Sequence, residues 1–254
     1  MKSTESAVFG AYSDYYDILY RDKDYAGEAA YVRNLLSRHG VTGGDLLEFG
    51  AGTGKHGQLL GDMGYRVLGI ERSAEMVARC PRSASFECRQ GDIREVRLAR
   101  FFDAVLSLFH VVSYQTGNDD VLAVFRRAAE HLAPGGLFVF DFWYTPAVYR
   151  QYPEVRTRRI TVPGRELLRI AEPIVHSGIN CVDVHYTVYI RDTDEGSIRM
   201  VTETHPMRHF SLPEIDLLCQ ITGFRRIATE EFLSGQAATE QTWGVCVVLQ
   251  RQET

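Results

Sequence analysis

The run Leu46-Leu47-Glu48-Phe49-Gly50-Ala51-Gly52-Thr53-Gly54-Lys55-His56 narrows what this chain can fold into more than any other stretch. Asp45 to Phe49 has the pattern of a short buried strand, and Lys55 to Met63 that of a helix that Gly64 stops. Between them glycine stands at every second position, so the backbone can turn sharply and approach a ligand where a Cβ would collide. Strand, glycine turn and helix in that order predict an α/β unit with a nucleotide-like ligand at the turn. A phosphate-binding P-loop is excluded, because Phe49 replaces its first glycine and His56 its closing Ser or Thr.

The alternation continues downstream. Tyr65 to Ile70 is a second apolar strand, Ser73 opens a helix, and Ser85 to Cys88 and Phe102 to Leu108 read as third and fourth strands. Asp119 is placed to cap a helix running to Leu132, and Pro134-Gly135-Gly136 makes a turn into the apolar strand Leu137 to Trp143. Such alternation predicts a parallel sheet with helices on both faces. Past Tyr144 the rhythm changes. Arg156 to Val162, Leu167 to Ile174, Cys181 to Arg191 and Ile198 to His209 are strand-like, which predicts an antiparallel insertion over one end of the sheet. Ser211-Leu212-Pro213-Glu214 has capping-box spacing for a helix that Gly223 closes, and Phe224 to Phe232 and Trp243 to Gln250 predict a hairpin on the sheet edge. The expected fold class is α/β, a doubly wound, Rossmann-like seven-stranded sheet with an antiparallel β insertion after the fifth strand. The expected division is an N-terminal lid and helix at 1–40, a core at 41–145, the insertion at 146–209 and core completion at 210–254.

Composition limits the partners. With 45% hydrophobic and 24% charged residues, a chain of 254 residues matches ordinary globular usage and suffices for one large domain or for a core domain carrying an insertion, and one compact unit is expected. A net charge of -5 argues against nucleic acid and anionic membranes, which call for a broad basic surface. No apolar run has the length of a signal peptide or a spanning helix, so the cytoplasm is the expected location. Cys80, Cys88, Cys181, Cys219 and Cys246 are scattered and never spaced C-x-x-C, which reads as reduced thiols rather than a disulfide framework or zinc site.

Two further features follow the glycine run at matched spacing. Glu71 ends the second strand about 20 residues past the first glycine, where a doubly wound fold places the carboxylate that takes two ribose hydroxyls. After the third strand, Gly91-Asp92-Ile93 offers an Asp that can accept from an adenine amino group and an Ile to cover the ring. With these motifs the chain resembles the class I S-adenosylmethionine-dependent methyltransferases. The resemblance implies S-adenosyl-L-methionine as cofactor. It implies a contacting set of Glu48, Gly50, Ala51, Gly52, Thr53, Gly54, Glu71, Arg72, Met76, Gly91, Asp92, Ile93 and Leu108. In this family the glycine loop lies against the methionine part, and the acid before it, here Glu48, points toward the cofactor's ammonium end.

A nearer likeness is to bacterial sugar-nucleotide N,N-dimethyltransferases, carried by Tyr16-Asp17-x-x-Tyr20, Lys23-Asp24-Tyr25, Ser107 to Tyr114 and Asp183-Val-His-Tyr-Thr-Val. It implies that Tyr16 and Tyr25 belong to a lid over the cofactor and that Tyr114 faces the acceptor. It also implies a small-molecule substrate of nucleotide-sugar type. The oligomeric state stays open, a homodimer included.

His110 and Tyr114 follow the fourth strand, at the carboxyl edge where open α/β sheets bind ligands, and are the candidate catalytic residues. Trp143 and Tyr144 either wall the pocket or belong to the core, and His205 and His209 read as structural. Arg156 and Arg158 would share a strand face, solvated or suited to a diphosphate. A hydroxyl acceptor needs a positioned base, whereas an amine can lose its proton to water before it binds. No residue stands out as an orienting partner for His110, which together with the likeness favours an amine. An O-methyltransferase, a nicotinamide-dependent oxidoreductase and a non-catalytic cofactor-binding partner remain the alternatives.

Overall fold

The computed structural model describes Tyr15 and residues 18–253. They form two compact units where the sequence predicts one, because the inserted strands build a sheet of their own. One comprises Asp24–Gln151 and the residues from His209 onward, the other Tyr152–Arg208 and the residues before Asp24.

The larger unit opens with α1 (Tyr25–Arg38), whose first turn is capped by Asp24 Oδ1 accepting from the Gly27 N–H at 2.8 Å. Then come β1 (Gly44–Phe49), α2 (Lys55–Asp62), β2 (Tyr65–Glu71), α3 (Ala74–Arg79), β3 (Phe86–Gln90), β4 (Phe102–Ser107), α4 (Asn118–Glu130), β5 (Leu132–Tyr144) and α5 (Thr145–Arg150). After the insertion come α6 (Leu212–Thr222), β10 (Phe224–Glu231) and β11 (Gly244–Arg251). The sheet order is β3-β2-β1-β4-β5-β11-β10, with β11 alone running antiparallel to the other strands. The seven strands are those the sequence predicts. Both faces are buried. Leu35, Leu36, Leu60, Tyr65 and Phe86 pack on one, and Phe125, Phe138, Phe140, Phe142 and Phe224 on the other. The strand order reverses between β1 and β4, so the crevice at their carboxyl ends is the ligand position of such a sheet.

Two expected helix caps are not made. α4 starts at Asn118 from a Gly117 N-cap, which puts Asp119 inside the first turn, beside an Asp120 that accepts from Arg94 at 3.0 Å. Ser211 is the N-cap of α6 but makes no side-chain capping bond, and Pro213 in the first turn has no N–H to offer it. The Pro134-Gly135-Gly136 segment lies within β5 as an irregularity. Pairing steps from Phe102↔Leu132 to Ala104↔Leu137, and the intervening residues leave the ladder.

The smaller unit is a four-stranded antiparallel sheet of β6 (Arg156–Val162), β7 (Arg165–His176), β8 (Cys181–Asp192) and β9 (Ile198–Phe210). Val182, Val184, Val188 and Ile190 are buried on one face, as their alternation predicts. Arg158 donates to Leu19 O at 3.0 Å and to Asp22 at 3.1 Å, so its guanidinium ties down the segment before Asp24. The last two residues of β9 lie in the larger unit, where His209 and Phe210 pair with Trp143 and Tyr144. No helix among the described residues is long and apolar enough to cross a membrane.

Candidate active site

The three glycines of the loop serve different purposes. Gly50, Gly52 and Gly54 all have positive φ, of 72°, 56° and 78°. A Cβ on Gly50 would lie 2.5 Å from the Val111 side chain, and one on Gly54 2.5 Å from the Phe86 ring, so those two are required by packing. A Cβ on Gly52 would meet only Met76 Sδ, at 3.9 Å. The unfilled side of the loop is therefore at Gly52, with Met76 beside it. Ala51 and Thr53 are buried.

Glu71 faces this side of the loop. Its Oε2 accepts from the Gly52 N–H at 2.9 Å and its Oε1 from the Ser73 N–H at 2.8 Å, which locks the carboxylate and leaves lone pairs for further donors. Gly91 N–H donates to Glu71 O at 2.9 Å, bringing the third motif alongside the second. Asp92 is more heavily engaged than expected. Arg94 donates to its carboxylate at 2.6 and 3.0 Å, and this pairing holds Asp92 below the usual carboxylate range. Ile93 and Leu108 lie within the core layers, and Arg72 is exposed.

Before the loop, Glu48 is buried with His56 and Glu28. His56 Nε2 is 2.7 Å from Glu28 Oε2, and Nδ1 is 3.9 Å from Glu48 Oε1. Tyr25 packs its ring 5.1 Å from that of His56, with Lys55 Nζ 4.9 Å above it. Tyr25 is thus the first residue of α1, against α2; Tyr16 lies outside the described residues.

His110 follows β4 at the crevice. Phe109 and His110 both take left-handed backbone, with φ of 63° and 62°, which non-glycine residues adopt at a cost of about 1–3 kcal/mol each. A turn of 3-10 helix, Val111–Tyr114, follows, and Val111 rests on Gly50, so the His110 segment packs directly on the glycine loop. Contrary to the sequence reading, His110 has an orienting partner. Its Nδ1 lies 2.7 Å from Asp141 Oδ2, which also accepts from the His110 N–H at 3.1 Å. The Asp141 side chain is 1% exposed and that of His110 22%. Trp143 is 6.2 Å from the imidazole and 5.4 Å from Trp243, forming an aromatic wall. Tyr114, half-buried, closes the turn. His209 bonds Thr145 Oγ1 at 2.9 Å, and His205 lies 3.2 Å from Glu203.

Fold and site together define a nucleotide-cofactor enzyme of the doubly wound class. A family model described as a methyltransferase domain matches residues 46–136. The chain is 30% identical over 227 residues to the dTDP-3-amino-3,4,6-trideoxy-alpha-D-glucopyranose N,N-dimethyltransferase of Streptomyces venezuelae, covering 88% of this chain and 92% of that one. It is also 30% identical over 193 residues to the dTDP-3-amino-3,6-dideoxy-alpha-D-glucopyranose N,N-dimethyltransferase of Streptomyces fradiae, covering 72% and 75%. The DesVI structure from Streptomyces venezuelae superposes with a TM-score of 0.79 at 26% identity, over 94% of this chain and 98% of that one. An amino pentose methyltransferase of Micromonospora echinaspora, solved with S-adenosylmethionine bound, shares the fold with a TM-score of 0.77 at 23% identity, covering 98% and 99%. The chain belongs to the S-adenosylmethionine-dependent methyltransferases and is related to the bacterial nucleotide-sugar N,N-dimethyltransferases. The residues fit that cofactor: the Glu71 carboxylate is fixed at Gly52, the loop glycine where an added Cβ would meet only Met76 Sδ.

Proposed function

We propose that this methyltransferase acts on the amino group of a nucleotide-linked deoxyaminosugar. The likeness to N,N-dimethyltransferases of dTDP-linked amino sugars carries the reading, and His110, although Asp141 orients it, suits an amine as well as a hydroxyl because an ammonium must shed a proton before it attacks. An imidazole at the carboxyl end of β4, on a segment packed against the cofactor loop, is positioned to take a proton from an acceptor at the crevice. The names of the curated relatives supply the chemistry, since three are N,N-dimethyltransferases of dTDP-linked amino sugars and a fourth is a cypemycin N-terminal methyltransferase. The bound cofactor supplies an electrophilic methyl group on a sulfonium centre. Glu71 would hold the ribose hydroxyls, and Gly52 and Met76 would border the methionine part. Trp143 and Trp243 would exclude water beside His110, and Tyr114 would face the acceptor. An alkylammonium cannot attack until it sheds a proton, and His110 would accept it.

The test is a methyl-incorporation screen. dTDP-linked 3-amino and 4-amino deoxysugars, a peptide with a free N-terminus and hydroxylated sugars of the same nucleotide are each incubated with S-adenosylmethionine. Mass spectrometry then locates the methyl groups. One or two methyls on the sugar nitrogen are expected, and methylation confined to oxygen or to the peptide would defeat the proposal.

A further inference from the structure

Asp141 stands alone as a charged residue among Leu137, Phe138, Val139, Phe140 and Phe142, all buried, on a central strand of the sheet. A carboxylate in such a place costs free energy unless its interactions offset the loss of water. Its Oδ1 is buried and has no hydrogen-bond partner among the described residues. Oδ2 accepts from the His110 backbone N–H and lies 2.7 Å from His110 Nδ1, an ion-pair contact off the line of a hydrogen bond, and Nδ1 has no other partner among the described residues. Cys246 sits opposite Asp141 on β11, and burial followed by the Asp141 charge pushes its thiol up, so it stays a neutral neighbour. The costly carboxylate is therefore directed at one residue, the same one whose backbone is held in the left-handed region.

We propose that Asp141 is a positioning residue that fixes His110 in the Nδ1–H form, so that Nε2 presents its lone pair to the acceptor. A carboxylate can only accept, so the nitrogen it faces carries the proton and the other nitrogen is left as the base. The same oxygen takes the His110 N–H and so holds the strained backbone that aims the ring. When Nε2 takes the acceptor's proton, the imidazolium forms next to a fixed negative charge, and no proton passes to Asp141. The inference rests on His110 as the proton acceptor of the proposed reaction and adds the group that prepares it.

The test reads the imidazole directly and needs no acceptor. Nitrogen-15 NMR of the histidine rings, with the His110 signals assigned by their loss in His110→Ala, is recorded for the full chain at a pH where the ring is neutral. The wild type should show a protonated Nδ1 and an unprotonated Nε2. Asp141→Ala and Asp141→Asn should both shift His110 toward the Nε2–H form that free histidine prefers, with S-adenosylmethionine affinity by calorimetry unchanged. A wild-type ring already in the Nε2–H form overturns the proposal whatever the variants do, as does a tautomer indifferent to both substitutions. A wild-type Nδ1–H form combined with a fully active His110→Ala would remove His110 from the reaction and leave the assignment of Asp141 intact.

Discussion

At the scale of single residues, two substitutions separate cofactor binding from proton transfer. Glu71→Ala should weaken S-adenosylmethionine binding, measured by isothermal titration, because each charge-assisted hydrogen bond lost is worth about 1.5–3 kcal/mol. An undiminished affinity in a folded variant would take Glu71 out of the site. His110→Ala should leave that affinity in place and slow methyl transfer by about a hundredfold or more where the acceptor amine is protonated. Its deficit should shrink as pH rises through the amine's own ionisation, since water then removes the proton that His110 handles. A single-turnover pH series reads this, and a deficit that stays constant at high pH would point to a hydroxyl acceptor. Glu71 and the glycine loop were legible in the sequence because spacing along the chain fixes their places. Asp141 was not, because it meets His110 only once β4 and β5 pair. Its one signal was a lone acid inside Phe140-Asp141-Phe142, where burial demands a partner.

Among the elements, His131 latches the end of α4 to the chain entering β4. It is buried, its Nδ1 lies 2.6 Å from Arg127 O, and its Nε2 accepts from the Leu98 N–H at 3.0 Å, an arrangement that needs the neutral ring. Burial holds its pKa below the ordinary 6.5. The folded state therefore binds that proton less readily than the unfolded chain does. The contribution is complete above the unfolded value of about 6.5 and is lost as pH falls from there toward the lowered folded value. Urea titrations between about pH 5 and 8 should show this slope in the wild type and a flatter one in His131→Gln; identical slopes would refute the latch. Element order and type were readable from apolar periodicity, whereas the start of α4 and the cap bond of α6 were not, because competing partners decide them. Arg94 draws Asp120 toward itself at the start of α4, and Pro213 removes a donor from α6.

For the whole molecule, binding energy falls on the unit that holds the glycine loop, which is built from two stretches of chain separated by the insertion. At a hundred times its dissociation constant a ligand adds about 2.7 kcal/mol, and S-adenosylmethionine should raise the melting midpoint of that unit by about 5–10 °C in calorimetry. No shift would mean that the loop binds no such ligand. The sheet of this unit has a further consequence. β11 is the last of its strands along the chain yet lies inside the sheet, between β5 and β10. A ribosome thus delivers six strands before the seventh, and until Gly244–Arg251 emerges the apolar Leu137–Phe142 stretch of β5 has an unsealed flank. The enzyme's vulnerable moment in synthesis comes before β11 is made, when a growing chain with an open strand edge is a substrate for chaperones and for its unfinished neighbours on the same message.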